Sequence, residues 1–383
     1  MTKFYKRRCF QNILIFSLLL IGTWFLLPYY LREALTHWYP GIEDYQLFYN
    51  REVSVSKNHF EWPLAENYNQ QELEASWRDT LENYQTTGFL VIQNDSIVHE
   101  EYWDHFGPQS PSNSFSAAKS IVSLLIGAAI DEGKIQSVDQ KAGDFLPHFK
   151  KAPNNNLTIR HLLTMSSGSN WDEKYTSPLS LTTQAYYGNN LHELINKINI
   201  TEPSGQQFSY KSGDTQILAH IVSAATNQSL SEYASKKLWQ PLGARHPALW
   251  SLDRKNGQEK AYCCFNSNLR DFALIGALIL HNGQWRGQQI ISENYLQEAI
   301  SPASHLRDES NVPVDFYGYQ WWITSVDEHP VPYARGILGQ YIFIIPHKHT
   351  IIVRLGNKRS KHYRNHHPKD VFSYLKMGLQ LVK

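Results

Sequence analysis

A serine and a lysine three residues apart are the pair whose types and spacing could do chemistry. Ser116 and Lys119 stand near the start of the segment SFSAAKSIVSLLIGAAIDEGKI, residues 114–135. On a helix, residues at this spacing lie one turn apart on the same face, so the hydroxyl and the amine can touch. A lysine removed from water loses part of its preference for the charged form. It can then take the serine proton and create a nucleophile, although a bare match also describes a helix-capping serine beside a solvated lysine.

The helix that must position this pair is strongly apolar. Its apolar residues recur at three- and four-residue spacing, at Ile121, Leu124, Leu125, Ala128 and Ala129. Gly133 then provides a stop signal. We therefore predict a buried helix whose first turn carries Ser116. The N-terminus of such a helix offers N–H groups and partial positive charge to an oxyanion.

Two later segments could complete such a site. The motif Tyr210-Lys211-Ser212 lies in a loop bracketed by glycines, and Asp214 is the expected cap of the following helix. A phenol there can relay a proton between the nucleophile, the lysine and the leaving group, and the Ser212 hydroxyl can hydrogen-bond in the same pocket. The second segment, ARGILGQ at residues 334–340, feeds a strand whose glycines permit close approach of a substrate. Taken singly, each segment also fits ordinary packing.

Composition limits the classes of function. The chain has 383 residues and 42% hydrophobic content, which allow a large core, and its formal net charge of +1 gives no reason to expect a nucleic-acid partner. No Cys/His spacing typical of zinc is present, so we expect neither a metal nor a cofactor. Cys263 and Cys264 are interpreted as small buried residues, because neighbouring cysteines rarely bridge each other. A late basic cluster is interpreted as a solvated loop, with a site for an anionic surface as the alternative: Arg354, Lys358, Arg359, Lys361, Arg364 and Lys369.

The N-terminus predicts a membrane anchor. Residues 1–8 hold Lys3, Lys6, Arg7 and Arg8, and the run from Cys9 to Leu31 holds no charged residue. At about 1.5 Å per residue such a helix can cross a ~30 Å hydrocarbon layer. The basic tail would stay in the cytoplasm, which places everything after Arg32 on the periplasmic side of a bacterial inner membrane. A cleaved signal peptide is the alternative, although the run is longer than a usual signal core and no A-x-A site follows it.

The remaining patterns predict an α+β protein. Residues 32–70 are predicted to be an extended lead-in, and residues 71–383 the main domain. Two short apolar runs around Asn94-Asp95 predict a hairpin, the region from about 137 to 285 is mostly helical, and Pro368 opens a final amphipathic helix. We therefore expect an antiparallel sheet built from both chain ends and flanked by helices, with a mainly helical lobe inserted between them.

Individual elements can be placed within this outline. Thr158 is predicted to cap a short helix that stops near Gly168. Longer helices are predicted at Leu191–Ile198, Asp214–Thr226, Leu230–Trp239 and Leu269–Leu280. Late strands are predicted at Tyr319–Ile323, Gln340–Ile345 and Thr350–Leu355.

Taken together, these segments resemble the serine β-lactamase-related hydrolases, which share the β-lactamase/transpeptidase-like fold of class C β-lactamases and penicillin-binding proteins. Within that family the chain is most similar to the branch of 6-aminohexanoate-dimer hydrolases and esterases. The resemblance extends from about Thr87 to the C-terminus. Besides the Ser116/Lys119 and Tyr210/Ser212 motifs, it rests on LTIRHLLTMSSG at residues 157–168, the Cys263-Cys264 stretch leading into LRDFALIGALIL, YGYQWWI and GILGQYIFIIP.

The resemblance implies an acyl-enzyme mechanism on a small amide, ester or peptide substrate. Ser116 would attack the carbonyl carbon with Lys119 as the base. Tyr210 would protonate the leaving group and help to activate water for deacylation. The backbone N–H groups of Ser116 and of Ile337, next to Gly336, would form the oxyanion hole, where each donor typically lowers the barrier by about 3 kcal/mol.

Two departures from the family pattern limit the substrate. Where class C β-lactamases carry Tyr-x-Asn this chain has Ser212, and where they carry K-T-G it reads Ala334-Arg335-Gly336. Arg335 is one strand position away from the missing lysine and so points to the other face, and we do not expect efficient β-lactam hydrolysis. Further candidates to line the cleft, with core packing as the alternative, are Trp171, Trp321 and Trp322. The other functions considered are a penicillin-binding-like protein with little turnover and a D-amino-acid peptidase; the sequence does not predict an oligomeric state.

Overall fold

Apolar strands from both ends of the chain meet in one central sheet. The computed structural model describes residues 2–382; Met1, Lys383 and the side chains of residues 2–6, 9, 20 and 21 lie outside the described part. The predicted roles of the Lys3, Lys6 and Cys9 side chains therefore fall outside the described residues.

Helices and strands follow one another along the chain as follows. The helices are α1 Thr2–Leu26, α2 Tyr29–His37, α3 Ala75–Asn83, α4 Ala118–Asp131, α5 Ile159–Leu163, α6 Leu181–Tyr187, α7 Leu191–Ile195, α8 Ser212–Thr226, α9 Leu230–Ala234, α10 Gln240–Leu242, α11 Leu269–Leu280, α12 Glu293–Ala299 and α13 Lys369–Gln380. The strands are β1 Asn50–Val53, β2 Thr86–Gln93, β3 Ser96–Tyr102, β4 Ser112–Asn113, β5 Ala248–Ser251, β6 Phe265–Ser267, β7 Gln284–Trp285, β8 Gln288–Gln289, β9 Trp322–Val326, β10 His329–Gly336, β11 Gln340–Ile345, β12 Thr350–Gly356, β13 Tyr363–Arg364 and β14 His367–Pro368.

The main sheet has six antiparallel strands in the order β3-β2-β12-β11-β10-β9. Near the middle of the order β2 pairs with β12 from the far end of the chain, and Val91 lies opposite Ile352. The central strands are apolar on both faces because both faces are covered. Ile351 packs in a core with α4, α8 and α11, whereas Ile352 packs in a second core with α13. The sheet predicted from both chain ends is confirmed.

Local signals predicted some element boundaries and missed others. The Asn94-Asp95 hairpin is confirmed, with positive φ angles of 48° and 58° that suit a tight turn between β2 and β3. Thr158 caps α5 through a capping box, as predicted, but the helix ends at Leu163 rather than near Gly168. Gly168 instead has φ +69° in a loop, where its carbonyl accepts hydrogen bonds from a later segment.

The segment predicted as an extended lead-in contains two regular elements. Helix α2 packs on α6, where the rings of His37 and Tyr187 stack with their centroids 6.3 Å apart. Strand β1 is the edge of a four-stranded sheet ordered β1-β5-β6-β4. Both elements are short and polar on one face, so they lack the periodicity that would reveal them in the sequence.

The predicted N-terminal anchor is divided in the structure. Helix α1 ends at Leu26, and Pro28 stands at the N-cap of α2. Among the residues that the structure describes, no helix taken alone has the length and apolarity to cross a membrane. Phe10–Leu26 and Tyr29–His37 together have the required length and composition, but they meet at a bend of 115°. The anchor over residues 9–31 therefore stays a prediction.

Candidate active site

Ser116 lies in a 3-10 turn, Phe115–Ala117, that runs directly into α4. Phe115 has φ 44°, a left-handed conformation that is costly for a bulky side chain. Its backbone N–H is held by the Asn113 side-chain oxygen at 2.8 Å. Ser116 is half-buried between two buried neighbours, so the turn presents its hydroxyl to the cavity described below. Gly133 follows the end of α4 with φ +67°, and the predicted stop is confirmed.

Lys119 is buried one turn further along, with 1% of its surface exposed. Its Nζ lies 3.0 Å from Ser116 Oγ, 3.1 Å from Ser212 Oγ and 2.8 Å from the Tyr262 carbonyl oxygen. Burial lowers the pKa of the Lys119 amine to about 8, although Glu173 and Asp214 act in the opposite direction. A neutral amine has two donors and one lone pair, which match these three partners if the lone pair faces Ser116.

Tyr210 and Ser212, the second motif, lie next to the Lys119 amine. The Lys119 Nζ lies 5.2 Å from the centre of the Tyr210 ring, and the Ser116 side chain is near enough to the Tyr210 phenol to favour its charged form. Burial raises the pKa of Tyr210 above its usual value, and the Glu173 carboxylate adds to the rise. The phenol therefore stays protonated and can act as a proton donor, while the amine is the group able to act as base.

Glu173 is a site residue that the sequence analysis missed. Its carboxylate accepts from the Ser212 N–H at 2.7 Å and from the Ser212 hydroxyl at 2.6 Å. It also accepts from Trp171 Nε1 at 2.8 Å and from the Tyr175 hydroxyl at 2.5 Å. Ser212 thus links the Lys119 amine to a carboxylate. Nothing in the sequence around Glu173 signals this role, because the contact joins two distant loops.

The predicted capping role of Asp214 is wrong. Helix α8 begins at Ser212, and its N-cap residue Lys211 makes no side-chain capping bond. The Glu173 carboxylate satisfies the Ser212 N–H at this helix end from another segment. Asp214 lies inside the first turn, fully buried, and accepts a hydrogen bond from the Ser167 hydroxyl at 2.7 Å. Burial raises the pKa of the Asp214 carboxyl to about 7.

Gly336 and Ile337 bring the end of β10 against the nucleophile turn. A Cβ atom on Gly336 would lie 2.2 Å from the Ser114 carbonyl oxygen, so the close approach that requires glycine here is to the protein backbone. Arg354 holds the turn that follows, since its guanidinium donates to the Leu338 and Gly339 carbonyls at 3.0 and 2.8 Å. Arg354 is fully buried, so its assignment to a solvated loop is wrong.

Cys263 and Cys264 form a disulfide bond between adjacent residues. The prediction that they do not bridge each other is wrong, whereas the prediction that they are buried is confirmed. Cys264 has φ 68°, and its N–H donates to the Asn113 side-chain oxygen at 3.1 Å. The same oxygen therefore fixes both the turn before Ser116 and the loop that contains Tyr262.

The comparison with known proteins agrees with this geometry. A sequence profile of the family described as Beta-lactamase matches residues 77–376. The chain belongs to the beta-lactamase family. The family predicted from the sequence motifs is thus confirmed, and the protein is a serine hydrolase of that family.

Amide and ester hydrolases are among the proteins that this chain is similar to. The 6-aminohexanoate-dimer hydrolase of Paenarthrobacter ureafaciens is 26% identical over 293 residues, which cover 72% of this chain and 74% of the relative. A Bacillus anthracis structure provisionally named 6-aminohexanoate-dimer hydrolase has a TM-score of 0.76 at 22% identity, covering 89% of this chain and 92% of that chain. A family VIII carboxylesterase has a TM-score of 0.64 at 14% identity, covering 84% and 99%. These structural likenesses establish the shared fold.

The tryptophans and Arg335 are placed differently from the motif residues. Trp171, Trp321 and Trp322 are all buried, and none of the three lines the cavity beside Ser116. Trp171 was predicted to bind substrate, but its ring packs where a Cβ on Gly213 would come within 2.5 Å. The Arg335 guanidinium lies 3.2 Å from the centre of the Trp322 ring, so it is already engaged by an aromatic face.

A cavity of ≈ 250 Å³ opens beside the Ser116 hydroxyl. Its walls come from α2 and the residues that follow it, from residues 175–187, and from Tyr262, Cys263 and Ile337. Among the residues that the structure describes, no group of three or more His, Cys, Asp or Glu side chains is arranged to hold a metal ion. The arrangement brings a hydroxyl, an amine and a phenol together at one end of this cavity.

Proposed function

We propose that this protein is a membrane-anchored hydrolase that cleaves small amides or esters through an acyl-enzyme on Ser116. The observation that carries the proposal is the position of the Lys119 amine, 3.0 Å from Ser116 Oγ in a site that lowers its pKa to about 8. An amine with this pKa is partly neutral near physiological pH and can accept the serine proton.

The proposed acylation step uses the described groups in turn. The Ser116 proton moves to Lys119 Nζ as Oγ bonds to the carbonyl carbon, and the N–H groups of Ser116 and Ile337 hold the oxyanion. When this intermediate collapses, the C–N or C–O bond breaks and the leaving group takes the Tyr210 phenol proton, which Lys119 replaces. Water then attacks the acyl carbon by the same route, which releases a carboxylic acid and regenerates Ser116.

The position of Arg335 supports simple esters and amides over substrates that carry a carboxylate. Binding a β-lactam or the end of a D-amino-acid peptide requires a cation that meets that carboxylate. Arg335 stacks on Trp322 and donates to the His366 carbonyl oxygen at 2.9 Å. We therefore expect low activity on β-lactams and on carboxylate-terminated peptides.

A fluorophosphonate probe tests the nucleophile. We expect it to label the wild type and to form a Ser116 adduct in the mass spectrum, while Ser116→Ala stays unlabelled. Ser120→Ala is the matched control, because Ser120 lies in the same helix but hydrogen-bonds to the Gln320 carbonyl oxygen at 2.7 Å. Equal labelling of Ser116→Ala and the wild type would overturn the assignment. A burst of acylation without product release would instead support a receptor with little turnover.

The anchor is tested on the full chain. The support for it is the uncharged run from Cys9 to Leu31 and exposed apolar side chains such as Phe10 and Ile13 on α1. We expect the full chain to stay with membranes after extraction at high pH and to keep its complete mass. A mature mass that lacks roughly the first 30 residues, the length of a signal peptide, would show a cleaved signal instead.

A further inference from the structure

The cavity beside Ser116 carries information about the substrate. We propose that it binds the hydrocarbon chain of a fatty-acyl ester or amide; this deepens the proposed function and rests on it. The described residues that line the cavity include no Asp, Glu, Lys, Arg or His. A carboxylate or ammonium group buried there would meet no opposite charge on the cavity wall, which favours an uncharged group. Serine, threonine and tyrosine hydroxyls are part of the lining, but most of its surface is apolar, which is the usual form of a site for an apolar ligand.

The position of Tyr210 determines which half of the substrate enters. Ser116 and Ile337, whose N–H groups would hold the carbonyl oxygen, both line the cavity, whereas Tyr210 does not. Tyr210 donates the proton to the leaving group, so the leaving group departs on the side of Tyr210, outside the cavity. The half that occupies the cavity is therefore the acyl half, which remains on Ser116 in the acyl-enzyme.

The mouth of the cavity continues its apolar lining. We call α2 with residues 38–40, together with residues 175–187, the acyl wall. Its outer side chains are exposed although they are apolar: Leu35 by 47%, Trp38 by 80%, Tyr39 by 52% and Tyr175 by 42%. Exposed apolar groups gathered at the mouth of a pocket mark a binding surface rather than scattered exposure. A chain longer than the cavity would continue along this rim.

The acyl-chain length of the substrate tests the proposal. The full chain, solubilised in a detergent without a linear alkyl tail, is assayed with p-nitrophenyl esters from acetyl to dodecanoyl. We expect kcat/KM for the octanoyl ester to exceed that for the acetyl ester by about tenfold or more, because each buried methylene adds to binding. A flat or falling series with Ser116-dependent acetyl hydrolysis would overturn this inference and leave the proposed function standing. No hydrolysis of any ester or amide and no labelling of Ser116 would overturn both.

A pair of variants on one helix sharpens the test. Ala34 is buried and lines the cavity, so Ala34→Met fills part of it and is expected to lower the octanoyl-to-acetyl ratio by about tenfold. Thr36→Met adds the same side chain at an exposed position of α2 that does not line the cavity, and is expected to leave the ratio unchanged. An unchanged ratio in Ala34→Met with an unchanged melting temperature would contradict the proposal. If Ala34→Met fails to fold, the dependence of wild-type kcat/KM on acyl-chain length is sufficient to test the proposal.

The acyl chain of the substrate has two possible sources, a soluble amphiphile and a membrane lipid. A second arm presents the same octanoyl ester in phosphatidylcholine vesicles that contain the full chain. A higher rate there than in free solution identifies the membrane as the source, and an equal or lower rate identifies the soluble amphiphile. Both outcomes support an acyl-chain site, whereas hydrolysis of neither preparation by a protein that cleaves the acetyl ester would overturn it.

Discussion

The cluster of Ser116, Lys119, Tyr210 and Ser212 meets the acyl wall at one cavity, which Ser116 and Ser212 line, but the two regions differ in how they are built. The cluster comes from the starts of two buried helices, α4 and α8, and Lys119 and Ser212 are both almost fully buried. The acyl wall comes from surface segments whose outer side chains are apolar and exposed. Hydrogen bonds between polar side chains therefore position the groups of the cluster, and the apolar side chains of the acyl wall determine which substrates fit beside them. We expect substitutions in the cluster to cost most of the activity, and substitutions in the acyl wall to alter substrate preference.

Each region contains or contacts a buried lysine: Lys119 belongs to the cluster, and Lys260 binds the acyl wall. The two lysines have different roles. Lys119 lies next to a hydroxyl and can become a base. Lys260 is fully buried and its Nζ donates to the carbonyls of Tyr186 at 2.6 Å and Ala185 at 3.2 Å, at the C-terminal end of α6. Burial lowers the pKa of the Lys260 amine to about 7. A lowered lysine pKa therefore indicates catalysis only where a nucleophile stands beside the amine.

The largest expected effect is a loss of kcat that distinguishes Lys119 from Lys260. Lys119→Ala removes the base from the cluster and is expected to lower kcat on a short ester by about 10³-fold. Lys260→Met should reduce kcat of the folded protein far less, because Lys260 lies outside the cluster. Steady-state kinetics on an acetyl ester, corrected for the folded fraction, measures both. Similar losses in the two variants would break the distinction between the cluster and the acyl wall.

The free energy of unfolding should respond strongly to a substitution of Lys260, which is expected to have little effect on kcat. Lys260→Met leaves backbone carbonyls at the end of α6 without their buried donor, and is expected to lower the free energy of unfolding by about 1–3 kcal/mol. Urea unfolding followed by tryptophan fluorescence measures it. Lys197→Met is the control, since the Lys197 side chain is 56% exposed and its loss should change the free energy by no more than about 0.5 kcal/mol. Equal unfolding curves for both variants would show that Lys260 does not anchor the acyl wall.

The pH dependence should report Lys119 directly. The neutral amine is the active form, so kcat/KM is expected to fall as the pH drops below about 8, where the amine becomes charged. Glu173→Gln removes the carboxylate that raises the Lys119 pKa and should move this acid limb to lower pH. Glu193→Gln, an exposed carboxylate paired with Lys197, should leave the limb in place. An acid limb that does not move in Glu173→Gln would show that Glu173 does not raise the pKa of the Lys119 amine.

The smallest expected effect lies at the rim of the acyl wall. Trp38→Asn removes a ring that is 80% exposed. The free energy of unfolding should change by no more than about 0.5 kcal/mol, while KM for the octanoyl ester should rise about threefold. Kinetics on octanoyl and acetyl esters in parallel measure the difference. A rise in KM of equal size for both esters would indicate a general disturbance rather than a lost contact with the chain.

The sequence predicted the parts of the site that depend on local spacing. Ser116 and Lys119 meet because a helical turn brings them together wherever the helix lies. The order of strands and helices likewise identified the fold, since apolar periodicity determines which faces are buried. The catalytic roles of these residues and the membrane anchor remain predictions that the variants above test.

The sequence could not reveal contacts that only the tertiary fold creates. Glu173 reaches Ser212 across two loops, and Asn113 joins the turn before Ser116 to the loop of Cys264; neither residue belongs to a motif. The adjacent disulfide escaped prediction because it depends on the backbone conformation of Cys264. Arg354 resembles its exposed neighbours in sequence, yet its strand runs through the centre of the sheet. The acyl wall was missed because α2 is short and its inner face shows only when α6 lies beside it.

Because β2 pairs with β12, the central sheet can form only after nearly the whole chain has been synthesised. The β2–β3 hairpin leaves the ribosome early, but the strand that covers its inner edge begins only at Thr350. Pairing over so long a stretch of chain slows folding, and an open strand edge invites association with other chains. The nascent protein therefore exposes an unpaired edge of β2 until Thr350–Gly356 has been synthesised. Fragments that stop before Thr350 are expected to aggregate rather than to retain partial activity.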